Sequence, residues 1–546
     1  MKKIIYILVA ILALNSCDVL DMKPLDKVSD ADVWEDSALI ELYVNASYNS
    51  INHEFSQHML SDASDETYCI HNWANFWVIQ KGEMTSDNVT GISEKINYWK
   101  SAYSNIRTIN VFFDRIDDAP VETDLKNRMK GEMKFIRAWI YANLIWRYGD
   151  VPLITDLFEL NQDYKVKRDS YSDCVDFITK ELDEAMTWLP AKSSSETLGR
   201  ATGDACKALK ARVLLYAASE QNNPSHSKEK WEAAAEATKA VLDAGYSLGN
   251  DYQSVFLEDN DEIIFARYFT QANSTDFMLF NGRNGSNGWT GENPTQNLVN
   301  AYEMTNGELP YLNEELPLKI NPASGYDESN PYAGRDPRLD ASILHDGSMW
   351  AGRETETWHG GLDSPESSIG SWNASKTAYA FKKFMVESIP PSGSSVKPEN
   401  PWIFFRLAEF YLNYAEAIYR YLGAAGATDN EFRMSACAAI NKVRQRSDVQ
   451  MPDFPDNISN TEFWERYKKE RMVELAFEQH RFWDVRRWKE GGFTKIGRMQ
   501  ITQKEDGNFL YERTNKSLVW DDKMYFFPIP ASEMRKNPNL SQNPGW

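Results

Sequence analysis

The sequence has 546 residues, of which 42% are hydrophobic and 25% are charged, and its formal net charge at pH 7 is −21. These proportions are normal for a globular protein, but the length exceeds what one compact core usually holds and predicts several subdomains or a repeat array. The negative charge argues against binding to nucleic acid or to anionic lipid, because both depend on Lys and Arg. It is compatible with a neutral ligand or with a basic partner surface.

The N-terminus has the organisation of an export signal. Two lysines precede an unbroken apolar run over residues 4–14, which is shorter than the roughly 20 residues of a membrane-spanning helix and fits the core of a signal peptide. The sequence LNSC then ends at Cys17 and resembles the lipobox of bacterial lipoproteins, although Asn15 is unusual there. It predicts a signal peptide over residues 1–16 and lipid on Cys17, whose two or more acyl chains would give stable anchoring. The alternative is a secreted protein with a coincidental cysteine.

The first half of the mature sequence is predicted to be helical. Residues 17–29 are acidic and contain a proline, and we expect them to form a leader off the membrane. Beyond them, apolar residues recur at steps of three and four, as in the stripe from Met129 to Leu144 that precedes Gly149. We therefore expect an N-terminal helical region over residues 30–260. Its further predicted helices cover residues 177–189, 205–218 and 231–244.

The composition changes after residue 260. Residues 262–268 predict a short strand, and the following stretch to residue 400 is rich in Gly, Asn, Ser and Pro with few periodic runs. A loop-rich stretch of this length in a folded chain is usually functional or disordered. Four tryptophans in it argue against disorder, so we expect a loop-rich ligand-binding region over residues 261–400.

A C-terminal helical region and tail are expected over residues 401–546. Helical periodicity returns over residues 402–422, 431–446 and 461–480. Helix pairs in series predict a repeat scaffold. The tetratricopeptide consensus does not match cleanly, so any such repeats are degenerate.

No established catalytic or metal-binding motif is present. His53 and His58 are five residues apart, whereas two histidines that share a helix face for zinc are four apart. No cofactor or metal is expected, and a structural calcium site cannot be predicted from this sequence. Acidic residues are plentiful, so a glycosidase carboxylate pair stays an open alternative. Besides Cys17, the cysteines form no C-x-x-C pair, and we favour buried free thiols over disulfides or metal ligands for Cys69, Cys174, Cys206 and Cys437.

Seven short segments carry a family resemblance. They are the leader after Cys17, residues 146–153 (WRYGDVPL), 200–202 (RAT), 405–417 (FRLAEFYLNYAEA), 441–444 (NKVR), 470–488 (ERMVELAFEQHRFWDVRRW), and 527–530 (FPIP) with the last ten residues. In this order they resemble the SusD/RagB family of outer-membrane nutrient-binding lipoproteins of Bacteroidota. One departure is Gln479, where the family usually has Gly.

The charged residues of the 470–488 segment are interpreted as structural. They lie at helical spacings that allow ion pairs, and the neighbouring aromatic residues provide burial. We therefore expect them to stabilise the fold rather than to bind a ligand. They are Arg471, Glu474, Glu478, Arg481, Asp484 and Arg487.

The resemblance implies a mostly α fold, in which four degenerate tetratricopeptide-like helix pairs frame a loop-rich half with a few short strands. It implies a partner, a SusC-like TonB-dependent transporter, and non-catalytic capture of an oligosaccharide, or of a peptide in some relatives. Asp18 and Asp21 resemble the export signal of surface lipoproteins in these bacteria. We therefore expect a lipid-anchored protein on the outer face of the outer membrane.

Aromatic residues in loops are the candidate ligand contacts, because sugar rings stack their apolar C–H faces on aromatic rings. In the family such contacts come from loops that match residues 65–85 and 281–372 here. Alternative functions are a surface glycoside hydrolase and a peptide- or protein-binding scaffold. The candidate site residues are Trp289, Trp350, Trp73, Trp77, Trp358, Trp372 and Asp65.

Overall fold

The computed structural model describes residues 30–158 and 162–546. Helix accounts for 40% of the structure and strand for 10%, which confirms the predicted mostly α class. The predicted signal peptide, Cys17 and the leader to residue 29 lie outside the described residues. Within the two described ranges, no helix combines the length and apolar composition that crossing a bilayer requires.

The longer helices form one packed series. In chain order, the helices of the described ranges are α1 (Asp30–Glu35), α2 (Ser37–Ser47), α3 (Trp77–Gln80), α4 (Trp99–Arg115), α5 (Thr123–Tyr148), α6 (Tyr171–Met186), α7 (Gly203–Ala218), α8 (Lys228–Leu242), α9 (Phe277–Asn281), α10 (Gln296–Ala301), α11 (Pro337–Ser342), α12 (Leu407–Leu422), α13 (Ala436–Arg444), α14 (Asn460–Glu474), α15 (His480–Arg487) and α16 (Ala531–Lys536). From α4 to α8 each helix packs on the next, and α12 then packs on both α8 and α13.

The strands are short and pair only in twos within the described ranges. They are β1 (Thr67–Cys69), β2 (Ile263–Arg267), β3 (Glu292–Pro294), β4 (Ile343–Leu344), β5 (Met349–Trp350), β6 (Arg353–Glu354), β7 (Ala380–Phe381), β8 (Trp402–Arg406), β9 (Lys495–Gln503) and β10 (Phe509–Ser517). The antiparallel pairs are β1–β3, β2–β8, β4–β7, β5–β6 and β9–β10.

All three predicted C-terminal helices differ from the structure. The helix predicted over residues 431–446 covers only Ala436–Arg444, because the Ser435 side chain caps its N-terminus. The prediction of helix from residue 402 was wrong for its first five residues, which form β8 and pair with β2. A short apolar run that is buried on both sides has the same sequence pattern in a strand and in a helix. The predicted helix over residues 461–480 ends at Glu474, because Phe477 and Gln479 have φ angles of 65° and 73°, which helical residues cannot adopt.

The predicted region boundaries fall beside paired strands. Residue 261 lies just before β2, residue 401 lies just before β8, and these two strands pair with each other. One buried apolar cluster extends from Ile40 to Leu540 and includes residues of all three regions. The three ranges therefore share a core, and the proposed division of the chain stays a prediction.

The charges of the 470–488 segment are buried and paired, but mostly with distant partners. Glu474 accepts hydrogen bonds from Arg406, Arg446 and Arg338, at 2.8, 3.2 and 2.9 Å. Among the ion pairs that these residues form within the described ranges, one has the helical spacing that the sequence suggested, between Arg487 and Asp484 of α15 at 2.8 Å. The segment therefore joins several helices to one another instead of stabilising a single helix.

Candidate functional site

The candidate site is built on the β1–β3 pair. Cys69 lies directly opposite Glu292 in this antiparallel ladder, and the pairing continues through the Ile70 amide, which donates to the Gly291 carbonyl oxygen at 3.1 Å. The chain that leaves β1 carries His71 and Trp73, and the chain that enters β3 carries Trp289. The ladder thus brings together two segments from opposite halves of the sequence.

Four rings meet beyond this ladder, and we call His71, Trp73, Trp289 and Trp372 the aromatic platform. The His71 and Trp73 rings stack with centroids 5.0 Å apart and planes 11° from parallel. Trp289 meets Trp73 edge-on at 5.7 Å, and Trp372 lies 6.5 Å from Trp289 and 5.6 Å from His71. Trp372 comes from a third segment, the 3-10 turn Ser371–Asn373.

The outer rings of the platform face solvent. Trp73 is 59% exposed and Trp372 is 60% exposed, while Trp289 is half-buried and packs on Phe280 at 5.4 Å. Aromatic surface exposed together in this way is a mark of a binding site in a monomeric protein. The rings support one another, so a ligand would meet an ordered surface.

His71 fixes the two chains of the platform relative to each other. Its Nε2–H donates to the Trp289 carbonyl oxygen at 3.1 Å. Burial lowers the pKa of His71, and this effect exceeds the opposing influence of that hydrogen bond; the nearby Lys376 ammonium lowers it further. The imidazole is therefore neutral at pH 7, with its proton on Nε2.

The arrangement suits a flat ligand with apolar faces and polar edges. Tryptophan rings offer large rigid apolar area at low conformational cost. Exposed amide side chains lie close to these tryptophans in sequence. Asn72 directly precedes Trp73, and Asn287 lies two residues before Trp289. Such groups can hydrogen-bond the edge of a ligand that stacks on the rings.

The structure brings three of the seven candidate residues together and places the others elsewhere. Trp350 is only 7% exposed and belongs to the apolar core. Trp358 is partly buried, with its ring 6.1 Å from Phe509. Trp77 is partly buried in α3, where the Lys81 ammonium lies 4.5 Å above its ring. Ligand contact by any of these residues stays a prediction.

Asp65 is a buried ion-pair partner. Its two carboxylate oxygens accept hydrogen bonds from Arg481, each at 2.7 Å. Burial would raise the pKa of Asp65, but the Arg481 guanidinium outweighs burial and holds that pKa below its usual value. The pair borders a polar cleft of about 250 Å³ that Glu314 and Lys469 also line, and none of the platform residues is among its described lining residues.

Sequence reasoning missed His71. It also missed a second group of neighbouring side chains, which are those of His58, Asp62, Cys69 and Glu292. The preference for free thiols over disulfides is confirmed, because Cys69, Cys174, Cys206 and Cys437 are all buried and form no disulfide. The expectation that none of them binds a metal stays a prediction. His53 and His58 do not act as a pair: the His53 ring packs against Phe269 at 5.1 Å. The His58 ring instead lies close to Cys69, with Nδ1 3.0 Å from Sγ. No local spacing signals either arrangement, because both depend on the pairing of β1 with β3.

Comparison with known proteins identifies the family. The model described as the SusD family matches residues 261–546. The chain belongs to the SusD family. A second family model, described as starch-binding and associating with the outer membrane, matches residues 18–215 of this SusD-family protein. The resemblance drawn from the short motifs is confirmed.

Relatives of the SusD-family chain cover most of its length. It is 24% identical to the SusD-like protein P25 of Formosa agariphila, over 82% of this chain and 78% of that protein. It is 23% identical to the starch-binding protein SusD of Bacteroides thetaiotaomicron, over 81% and 77%. A solved SusD-like protein of Bacteroides fragilis superposes with a TM-score of 0.80 at 29% identity, covering 96% of this chain and 100% of that one. The SusD-like fold is thereby confirmed.

Proposed function

We propose that this SusD-family protein captures oligosaccharides on the aromatic platform, without catalysis, and delivers them to a SusC-like TonB-dependent transporter. The observation that carries the proposal is the exposure of Trp73 and Trp372 on either side of the half-buried Trp289, three rings that come from separate segments. A related protein is named as starch-binding, which supports a carbohydrate ligand.

A neutral glycan fits the chemistry of the platform best. Sugar rings present C–H faces that stack on indole rings and hydroxyl edges that amide groups can bond. A net charge of −21 disfavours an acidic glycan unless cations gather at the site. The platform rings carry no charge, because His71 is neutral near pH 7.

A location on the outer membrane, with lipid on Cys17 and the platform facing outward, belongs to the same proposal. Its support is the lipobox-like sequence that ends at Cys17 and the family model described as associating with the outer membrane. Tethering beside a transporter would keep a captured glycan close to its entry point, because a tether raises the effective local concentration.

Isothermal titration against a panel of neutral oligosaccharides tests the binding site. Truncating a central aromatic contact typically costs about 2 kcal/mol or more, or about thirtyfold in Kd. We expect losses of this size in Trp73→Ala and Trp289→Ala. The matched control is Trp464→Ala, which removes a partly buried tryptophan of α14 that is not a candidate ligand contact and should leave affinity unchanged.

Other outcomes would redirect the proposal. Equal affinity in the two platform variants would remove the site assignment. Binding of peptides with no response to any glycan would favour a peptide-binding role. Chromatography of a bound glycan after long incubation should return it intact, and shorter products would indicate a glycosidase instead.

Cell experiments test the anchor and the partner. Cys17→Ser should move the protein from the membrane fraction to the soluble fraction, and an antibody should label intact cells that carry the wild type. Labelling that needs lysed cells would contradict the outward orientation. Purification of the tagged protein from its own membranes should recover a TonB-dependent transporter, and its absence from the complex would contradict the delivery role.

A further inference from the structure

Four potential metal ligands meet at the base of the platform. His58, Asp62, Cys69 and Glu292 each offer one ligand atom, and these atoms all lie within 4.8 Å of one another. Asp62 and Glu292 are fully buried, Cys69 is 6% exposed, and His58 is half-buried. His58 Nδ1 lies 3.0 Å from Cys69 Sγ.

The fold places these side chains through separate elements. Cys69 and Glu292 are opposite one another in the β1–β3 ladder, so their side chains lie on the same face of it. Asp62 belongs to the 3-10 turn Leu60–Ala63 that precedes β1. The His58 ring stacks on Phe76 with centroids 6.2 Å apart, which orients its Nδ1 toward the cysteine.

The group has fewer protein donors than acceptor atoms. The Met59 amide donates to Glu292 Oε1 at 3.0 Å, and Asp62 also has hydrogen-bond contacts with Cys69 and Glu292. The single Thr67 hydroxyl lies within hydrogen-bond distance of Asp62 Oδ1 at 3.2 Å and of Glu292 Oε2 at 2.9 Å, but its one proton can serve only one of them. In the described part of the chain, Asp62 Oδ2 and His58 Nε2 have no hydrogen-bond partner. An unpartnered carboxylate oxygen in a fully buried position costs free energy.

No side-chain cation neutralises the group. Among the described residues, neither Asp62 nor Glu292 forms an ion pair with Lys or Arg. Burial therefore raises the pKa of Asp62 to about 7. Burial also raises the pKa of Glu292 and of the Cys69 thiol, and the charges of the neighbouring carboxylates raise these two pKa values further. Either protons or a metal cation must balance the charge of these buried groups.

The donor set selects the kind of cation. Zn²⁺ takes thiolate, imidazole and carboxylate ligands in four-coordinate tetrahedral sites. Ca²⁺ and Mg²⁺ take six or more oxygen ligands, which a set with sulfur and nitrogen does not supply. Tetrahedral zinc ligands lie about 3.5 Å apart, given bond lengths of about 2.0–2.3 Å, so spacings up to 4.8 Å need only small side-chain movements.

We propose that His58, Asp62, Cys69 and Glu292 bind one Zn²⁺ ion, which joins β1 to β3 at the base of the aromatic platform. Binding releases the protons that the thiol and the carboxyl groups otherwise hold, so zinc affinity rises with pH. Cys69 lies four residues before Trp73, and Glu292 lies three residues after Trp289. The ion would therefore hold in place the two segments that carry these rings. The importance of this for ligand binding rests on the proposed function, whereas zinc binding itself does not.

Metal content and cobalt spectroscopy of the purified protein test the proposal. After equilibration with Zn²⁺ and removal of free metal, elemental analysis should find one zinc per chain. Co²⁺ in its place should give a thiolate-to-cobalt charge-transfer band and the visible bands of tetrahedral cobalt. Both should disappear in Cys69→Ser and weaken at least about tenfold in Asp62→Asn. The matched control Cys206→Ser, which removes a buried cysteine of α7, should retain them.

Several results would overturn the site. Substoichiometric zinc in the wild type would mean that protons alone neutralise the group. A cobalt band that persists in Cys69→Ser but is lost in Cys206→Ser would place the thiolate elsewhere. Circular dichroism checks that each variant is folded, and if Cys69→Ser does not fold, the wild-type stoichiometry and the Asp62→Asn spectrum still decide. Unchanged glycan affinity after zinc removal would contradict only the link to the platform.

Discussion

The imidazole of His71 donates a hydrogen bond of 3.1 Å to the main-chain carbonyl oxygen of Trp289, 218 positions further along the chain. The same imidazole stacks on the Trp73 ring. One neutral side chain thus holds two tryptophans of the platform in a defined relation.

Replacing His71 with Ala should weaken glycan binding although His71 itself is buried. The substitution removes the hydrogen bond to Trp289 and the ring beneath Trp73. A net loss of about 1 kcal/mol, or about fivefold in Kd, is the expected size for such a bond. His71→Phe keeps a ring against Trp73 and should lose less. Titration of both variants against a bound glycan measures this, and equal affinity in Ala and wild type would contradict it.

With Zn²⁺ present at a saturating concentration, glycan affinity should not change between about pH 6.5 and about pH 8, because no platform group changes charge there. Burial lowers the pKa of His71 below its usual 6.5, so the neutral form persists over this range. Titrations at both ends of it, in one buffer of constant ionic strength, provide the measurement. A marked loss of affinity at the acidic end would show that a titrating group contacts the ligand.

Glu416 should contribute to acid stability. Burial alone would raise its pKa, but two hydrogen bonds from Arg487, both at 2.6 Å, and the charge of that residue overcome burial and lower the pKa from 4.5 to about 2. Because the folded pKa lies below the unfolded one, this contribution is complete above about pH 4.5 and is lost as the pH falls toward 2.

Urea unfolding between about pH 3 and pH 6 should detect this dependence. Glu416→Gln leaves the buried Arg487 without its full counter-charge and should destabilise the protein at neutral pH by about 3–5 kcal/mol. The variant should also depend less on pH than the wild type, by about 2 kcal/mol between pH 3 and pH 6. Parallel pH profiles for the two proteins would be inconsistent with this role.

Glu66 should have the opposite pH dependence. It is fully buried, and burial raises its pKa to about 8, although its Oε1 accepts a hydrogen bond from the Phe477 amide at 3.0 Å. The folded pKa exceeds the unfolded 4.5, so the wild type loses stability as the pH rises from about 4.5 through 8.

The Glu66→Gln variant provides the test, because glutamine keeps the hydrogen-bond acceptor without a titrating proton. Its stability relative to the wild type should increase by up to about 1.4 kcal/mol for each pH unit within this window. Thermal unfolding at several pH values measures the difference. A constant difference would mean that Glu66 is ionised in the folded protein.

Gln479→Gly should stabilise the protein. Gln479 has a φ of 73° at the start of α15, in the left-handed region that costs a non-glycine residue about 1–2 kcal/mol. Glycine removes that strain and partly offsets the gain through its greater freedom in the unfolded chain. We expect a net gain of about 1 kcal/mol, measured by urea unfolding. Gly149→Ala, which introduces a side chain at a φ of 70°, should shift stability the other way.

The sequence predicted the elements whose periodicity is local. Helix α5 was recognisable because Met129 and Leu144 lie on one apolar stripe, and it ends at Gly149 as expected. β8 was not, because a strand is defined by its pairing with β2, which lies more than a hundred residues away. The unusual Gln479 was visible in the motif, but its φ could be known only from the structure.

The sequence predicted part of the site, because a loop-like sequence context indicates that a side chain is exposed. The glycine-rich context of Trp289 indicated a loop, but it could not distinguish Trp372, which is exposed, from Trp350, which is buried. Both follow glycine-containing turns, and their burial depends on which distant segments pack against them. The same limit applies to Cys69 and Glu292, which only the β1–β3 register brings together.

The distance in sequence between the partners of the platform has a consequence for folding. Bringing His71 to Trp289 closes a loop of 218 positions, and contacts of such long range form late because chain entropy is lost before they contribute stability. The aromatic surface would therefore be completed only after both halves of the chain have folded. A partly folded or truncated molecule would lack the complete platform, so binding of a ligand there would report the fraction of the protein that has reached its native state.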